Sequence, residues 1–181
     1  MPKPPREEWL LIFYSVPSHP VSNRMKIWRK LAKAGAVQLK GAVYILPATE
    51  EHEEFCQWLI GEVKSMGGDG AFVRTADVRT MTDADIRHLF TAQADQEYHR
   101  IEKSLDVLER KVHSMRKGTR NEEGKRLAAE AAKFTKELVD VGKRDHFNSS
   151  TGQALRKRIQ TLEAGLRKTG KKASDEAAPI T

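Results

Sequence analysis

Residues 9–47, which read WLLIFYSVPSHPVSNRMKIWRKLAKAGAVQLKGAVYILP, decide the fold of this chain. Residues 9–16 are bulky and β-prone and are closed by Pro17, a pattern typical of a mostly buried strand. A helical pattern begins after the loop, and its unpaired backbone N–H groups need a side-chain acceptor, which Ser22 or Asn23 is expected to supply. The start of the stretch therefore predicts a strand followed by a helix.

Glycine and threonine residues divide the chain that follows. Gly35 is expected to end the first helix in the left-handed conformation, and residues 36–46 predict a hairpin with Gly41 in its turn. Thr49 is expected to cap a second helix, and residues 71–76 form a last short strand. The order is βαββαβ, which predicts a ferredoxin-like domain with an antiparallel sheet and both helices on one face.

The expected core of this domain joins the sheet to both helices. A helical wheel places Ile27, Trp28 and Leu31 on one face of the first helix, together with two alanines. The second helix has an apolar stripe in the same rhythm. The residues predicted to share one core are Trp9, Ile12, Trp28, Leu31, Val43, Phe55 and Leu59.

The opposite face of the first helix is basic. Four cations fall within about 100° of one another on the wheel, namely Lys26, Arg29, Lys30 and Lys33. Arg24 stands at the mouth of the preceding loop. Residues 24–40 contain six basic residues and no acidic one. A face that only keeps a protein soluble usually mixes charges of both signs, so the absence of acid favours contact with phosphates.

The second half of the chain is helical. Thr82 and Asp85 form a capping-box pattern before a long helix predicted to reach Lys117, and Gly118 breaks it. Apolar residues then alternate spacings of three and four, which is coiled-coil seam spacing. The seams are Tyr98, Ile101, Leu105, Leu108, Val112 and Met115; Leu127, Ala131, Phe134, Leu138 and Val141; and Leu155, Ile159, Leu162 and Leu166. We expect antiparallel hairpins or pairing across a homodimer.

The fold class is therefore α+β, with three parts. Residues 1–80 are expected to form the ferredoxin-like domain, residues 81–168 a helical hairpin or bundle extension, and residues 169–181 a disordered basic tail. A second cationic stretch lies near the end of the chain. Its candidates for non-specific phosphate contact are Arg156, Lys157, Arg167 and Lys168. A solvated helix with a basic tail explains this stretch at least as well.

Composition favours an anionic partner. The 181 residues carry a net charge of +7 and have a pI near 9.5. The longest apolar run, residues 9–14, is far too short to span a bilayer, so we expect no membrane association and a cytoplasmic location. Cys56 is the only cysteine, which excludes an internal disulfide.

The sequence shows no catalytic constellation. Ser15 and His19 flank one loop without a third group to activate them. The acidic run at residues 50–54 includes His52 and offers ligands to a divalent cation, but an acidic helix start that complements the helix dipole explains it better. Cys56 lies on an apolar stripe. We expect no enzymatic activity, no metal and no cofactor.

Four features of residues 9–55 form a recognisable pattern. They are a Trp-Leu-Leu strand ending Tyr-Ser-x-Pro, an Arg-x-Lys-x-Trp-Arg-x-Leu helix, a Gly-Ala-Val turn, and a strand closing Leu-Pro-Ala-Thr before an acidic helix start. In these features the sequence resembles the N-terminal domain of the ChrB family of chromate-resistance regulators. The likeness continues more weakly to about residue 115. It implies a DNA-binding repressor of a chromate-efflux operon, with chromate as a candidate effector whose site it does not place.

The first block also resembles, more distantly, PaaX-type repressors and the small CRISPR-associated spacer-integration nuclease. Those nuclease-like proteins hold a metal ion with an Asp at the end of the first strand, where this chain has Ser15. An uncharged hydroxyl is a poor sole ligand for a hard cation, which argues against a metal-dependent nuclease.

Two further functional hypotheses remain open beside the nuclease. The first is a DNA-binding regulator that contacts phosphates through its basic helix. The second is a protein-interaction module whose helical seams pair with a separate chromate-sensing protein, because the family's C-terminal domain does not follow in this sequence.

Overall fold

The computed structural model describes the backbone of residues 7–114 and 120–175 and the side chains of residues 7–114 and 122–167. The architecture is α+β, as predicted. The elements are β1 (Trp9–Ser15), α1 (Val21–Lys33), β2 (Val37–Lys40), β3 (Val43–Pro47), α2 (Glu50–Ser65), β4 (Asp69–Thr75), α3 (Asp83–Ser114), α4 (Arg120–Gly142) and α5 (Ser150–Asp175).

These elements divide between two compact units. The first unit holds the described residues up to Gln93 together with Lys143–Phe147, and the second holds the described residues between Ala94 and Gly142 and those from Asn148 to Asp175. None of the described helices combines the length and apolarity that crossing a membrane requires.

The sheet of the first unit has the ferredoxin-like strand order β2-β3-β1-β4. All three pairings are antiparallel, with Leu10 opposite Leu46 on β3 and Arg74 on β4. Gly35 and Gly41 have φ values of 74° and 57°, so both adopt the left-handed conformation expected at the helix end and the hairpin turn. The central strand β1 has neighbours on both sides, and both of its faces are apolar.

Successive residues of β1 supply two different cores. Leu10 and Ile12 face α1 and α2, whereas Trp9 packs on the opposite face of the sheet. There the Trp9 ring lies 6.0 Å from Phe90, and its indole N–H donates to Asp83 at 3.1 Å. The prediction of one core containing both Trp9 and Ile12 was therefore wrong, because residues an odd number apart on a strand point to opposite faces.

Of the caps predicted for α1 and α2, only the one on α2 is present. The first helix begins at Val21 after an extended Pro20 and has no side-chain cap, so Ser22 and Asn23 lie inside its first turn rather than before it. Thr49 does cap α2, because its hydroxyl accepts the His52 N–H at 3.2 Å.

The capping box at the start of α3 is confirmed. The Thr82 N–H donates to the Asp85 carboxylate at 2.8 Å, and the Asp85 N–H donates to the Thr82 hydroxyl at 3.1 Å. These reciprocal bonds satisfy backbone donors that the helix itself leaves free. The α3 helix then runs to Ser114, and the predicted end at Lys117 and Gly118 lies outside the described residues.

The three predicted seams meet in one core of the second unit. Leu105 and Leu108 of α3 are fully buried there within the single chain. Lys111 pairs with Glu130 at 3.1 Å while the aromatic Tyr98 lies near Gly142, so α4 runs opposite to α3. Met115 lies outside the described residues. So do residues 176–181 of the predicted tail, whereas the backbone of α5 is helical to Asp175.

Candidate nucleic-acid interface

The orientation of α1 is fixed by Ile27 and Leu31, which are fully buried against the sheet. Trp28 does not join them: 46% of its surface is exposed, so its predicted place in the core was wrong. On the wheel Trp28 lies about 100° from Ile27 and about 60° from Leu31, at the margin of the buried arc. No element of the described part of the chain covers that margin, and the indole lines an open cavity.

An acidic residue from α2 lies beside the basic helix. The Glu62 carboxylate contacts the Lys26 ammonium at 3.0 Å and the Lys30 ammonium at 3.2 Å. Burial alone would raise the pKa of Glu62, but hydrogen bonding to Lys26 and Lys30 and their positive charges lower it. Two of the predicted phosphate contacts therefore share one carboxylate that is ionised at neutral pH, and this acid does not belong to the sequence of α1.

Lys30 makes a second contact with α2. Its ammonium lies 3.9 Å from the centre of the Trp58 ring, within the range of a cation–π interaction. Trp58 is 53% exposed and was not singled out from the sequence. The available signal was its position off the apolar stripe of α2, which leaves a large aromatic residue on the solvent side.

Three of the five predicted cations have no acidic partner in the described part of the chain, namely Arg24, Arg29 and Lys33. Arg29 and Lys33 are exposed and four residues apart, which makes them neighbours on the outer side of α1. Arg24 is exposed on a different flank, about 140° from Arg29 on the wheel. The basic helix therefore presents an outer cationic pair and one separate guanidinium.

A cavity of about 560 Å³ opens beside Arg24. It lies between α1, the end of β1 and the β2–β3 hairpin, and Trp28 and Ser15 line it. Ser15, at the end of β1, offers the cavity a hydroxyl and no charge. No carboxylate lines the cavity among the described residues, so its only formal charge is that of Arg24.

A second open cavity, of about 1020 Å³, lies on the other flank of α1 beside Lys33. The rings of His52 and His146 meet there edge to face, with centroids 4.9 Å apart. Burial and the neighbouring His52 lower the pKa of His146 despite its hydrogen bond to the Ala34 carbonyl. His146 is therefore neutral at neutral pH, and lysines supply the positive charge of this cavity.

The acidic start of α2 is a helix terminus rather than a ligand cluster. Glu50, Glu51 and Glu53 occupy the first turn after the Thr49 cap, where the helix dipole favours negative charge. A ring nitrogen of His52 contacts the Pro47 carbonyl at 2.7 Å. Across residues 7–114 and 122–167, no group of three or more His, Cys, Asp or Glu side chains is placed to hold a metal ion.

The predicted cations near the end of the chain are used differently. The Arg156 guanidinium donates to the Tyr98 hydroxyl at 3.2 Å inside the second unit. Arg167 forms a long ion pair of 3.6 Å with Glu163 and stays exposed, as does Lys157. The side chain of Lys168 lies outside the described residues. This second cationic stretch thus offers fewer outward charges than its sequence indicates.

The fold and this surface define a class: a ferredoxin-like α+β domain that presents a cationic helix and continues into a unit of three packed helices. A family model described as "Protein ChrB, N-terminal" matches residues 24–166, which include most of both units. The chain belongs to this family of ChrB N-terminal domains.

The comparison with individual proteins gives a more distant likeness. The chain is similar to Protein ChrB of Cupriavidus metallidurans, with 28% identity over 90 residues. The aligned part covers 50% of this chain but only 28% of that protein. No solved structure matches the chain.

Proposed function

We propose that this protein is a DNA-binding transcriptional regulator, acting as a repressor in chromate resistance. Membership of the ChrB family supports a role in the regulation of chromate resistance. The observation that carries DNA binding is the outer cationic pair of Arg29 and Lys33, which is exposed and has no acidic partner among the described residues. The net charge of +7 adds long-range attraction to a polyanion.

The cations of α1 contribute unequally in this proposal. Arg29 and Lys33 can neutralise phosphates without first losing an ion pair. Lys26 and Lys30 contribute less, because Glu62 already neutralises one of their two charges. Arg24 is the candidate for a base contact, since a guanidinium can donate two hydrogen bonds to guanine.

The experiment compares two double variants with the same change in charge. Arg29→Gln/Lys33→Gln removes the outer cationic pair, and Lys133→Gln/Lys136→Gln removes two exposed charges from α4 in the other unit. Fluorescence anisotropy with duplex DNA from upstream of the protein's own gene, and with random duplex, is measured across a salt series. We expect the slope of log affinity against log salt to fall by about 2 for the α1 variant, at roughly 0.9 per phosphate contact.

The α4 variant is expected to keep most of the slope of the unchanged protein. If the slope fell equally in both variants, net charge alone would explain the effect. If the slope of the α1 variant were unchanged, the basic helix would not be part of the DNA interface. Repeating the titration with chromate tests whether this oxyanion weakens binding, as expected for a repressor that chromate inactivates.

A homodimer formed through the helical extension, and a separate chromate-sensing partner, are further proposals. The seam residues fill the core of the second unit within one chain. A second copy or another protein would therefore contact exposed positions such as Val107 of α3 and Val139 of α4, which are 43% and 54% exposed.

A further inference from the structure

The cavity beside Arg24 combines aromatic walls with a single positive charge. Trp28 and Met25 of α1 form one side, and Tyr14 and Tyr44 lie on adjacent strands of the sheet. The two tyrosine rings stack with centroids 6.1 Å apart and planes 26° from parallel. The Trp28 indole lines the cavity and is nearly half exposed, so part of its ring surface is open to a ligand.

The polar groups of this cavity suit an anionic ligand. Arg24 has no acidic partner among the residues that the structure describes, and no carboxylate lines the space. Burial raises the pKa of Tyr14 to about 12, with the neighbouring Tyr44 adding to the effect and Arg24 opposing it. The Tyr14 phenol therefore stays neutral over the physiological range and can take part in hydrogen bonds without repelling an anion.

The size of the cavity narrows the choice of ligand. A volume of about 560 Å³ exceeds what a lone oxyanion needs, and one guanidinium is a weak clamp for such an ion. A purely apolar ligand would leave Arg24 without a counter-charge. A planar ring that carries one negative group uses both features, because the ring stacks on Trp28 while the anion pairs with Arg24.

We propose that this cavity binds one unpaired nucleotide, with its base stacked on Trp28 and its phosphate paired with Arg24. The nucleotide comes either from a single-stranded stretch of nucleic acid or from the free pool. An intact duplex keeps its bases stacked on one another, so this site is distinct from the phosphate contacts of Arg29 and Lys33, and Arg24 binds either a duplex base or the phosphate of the unpaired nucleotide, not both at once. The proposal of nucleotide binding in this cavity therefore does not depend on binding of duplex DNA.

The test uses the full chain with two probes, a labelled oligothymidine single strand and thymidine monophosphate. The variants are Trp28→Ala, Trp28→Phe and Arg24→Gln, with Trp58→Ala as the matched control because it removes an exposed indole outside the cavity. Anisotropy reports binding of the strand, and quenching of tryptophan fluorescence reports both probes. Thermal unfolding followed by circular dichroism verifies that each variant is folded.

We expect Trp28→Ala to weaken single-strand binding roughly 5- to 150-fold, the range for loss of one base-stacking contact. Trp28→Phe should retain most of the affinity because it keeps a ring, and Arg24→Gln should weaken binding of both probes. Trp58→Ala should change the affinity for the single strand less than about twofold, because the base is expected to stack in the cavity and not on Trp58. Duplex affinity should be nearly unaffected by Trp28→Ala.

The two probes separate the sources of the nucleotide. Binding of the strand without binding of the monophosphate assigns the site to nucleic acid, and equally effective quenching by the monophosphate assigns it to the free nucleotide. Both outcomes support the proposal. It is overturned if folded Trp28→Ala binds the strand as tightly as the unchanged protein, if Trp58→Ala loses as much affinity, or if neither probe binds. Failure of duplex binding alone contradicts the proposed repressor and leaves this site standing.

Discussion

The helices α1 and α5 both carry runs of basic residues, but they use them in opposite ways. In α5 the Arg158 guanidinium contacts carboxylates at three positions of α3, with nitrogen–oxygen distances of 2.6–3.2 Å to Glu102, Asp106 and Glu109. In α1, Arg29 faces solvent without an acidic partner in the described part of the chain. A basic residue thus stays available to an anionic partner only where the neighbouring element supplies no acid, and even in α1 this excludes Lys26 and Lys30, which pair with Glu62.

The ion cluster around Arg158 is a structural device. The hydrogen bonds that Arg158 donates to Glu109 and Asp106 raise the pKa of Arg158 beyond its already high ordinary value, against the opposing effect of burial. The cluster joins two turns of α3 to one residue of α5. Three carboxylates on one helix face would repel one another without this cation.

Among substitutions of charged residues, the largest effect that we expect is loss of stability on removing this cation. Arg158→Ala should lower the free energy of unfolding by about 1–2 kcal/mol, a range that allows for solvent screening of a part-exposed cluster. Urea denaturation measures this effect. The control Arg167→Ala removes an exposed cation with one long ion pair, and it should change stability by less than about 0.5 kcal/mol. Equal losses of stability in the two variants would show that Arg158 stabilises the fold no more than a surface arginine does.

A second substitution should increase the number of α1 cations that are available to phosphates. Glu62→Gln removes the acid shared by Lys26 and Lys30, so both ammonium groups become available to phosphates. We expect tighter duplex binding and a salt slope steeper by about 1–2. The control Glu54→Gln makes the same change in charge at an exposed position of α2. If both variants gained equally, net charge would explain the result and the proposed face would lose its support.

The smallest effect concerns the stability contributed by Trp28. Because nearly half of its surface is exposed, Trp28→Ala should cost less than about 1 kcal/mol, whereas Leu31→Ala on the buried side should cost about 2–5 kcal/mol. Urea denaturation of the two variants gives the comparison directly. A loss of more than about 2 kcal/mol in the free energy of unfolding for Trp28→Ala would indicate that this side chain is buried in the core. It would also weaken the case for a ligand site.

Local patterns predicted much of the fold because they depend on neighbours in sequence. The order of strands and helices follows from hydrophobic periodicity, and the Thr49 cap and the Thr82 capping box follow from residues three positions apart. The three helical seams follow from spacing in the same way. These features are encoded within one or two turns of chain.

The details of the site escaped prediction because they depend on contacts between elements. Glu62 lies more than thirty residues from its lysine partners, and no local rule pairs them. Trp28 occupies the edge of a helical wheel, where burial is decided by whether another element happens to cover it. The ring of Phe147, in a segment that resembles a polar connector, packs against Trp9 and Phe90.

The position of Phe147 has a consequence for how the protein is made. The first unit takes this residue from beyond the whole of α4, so its sheet and both of its helices leave the ribosome well before the last aromatic residue of the core around Trp9. Closing so long a loop is slow, although each doubling of its length costs only about 0.6 kcal/mol. During synthesis, the Trp9 face of the sheet therefore stays incomplete until the segment after α4 is made, and a nascent chain stalled after α3 exposes an incomplete aromatic cluster.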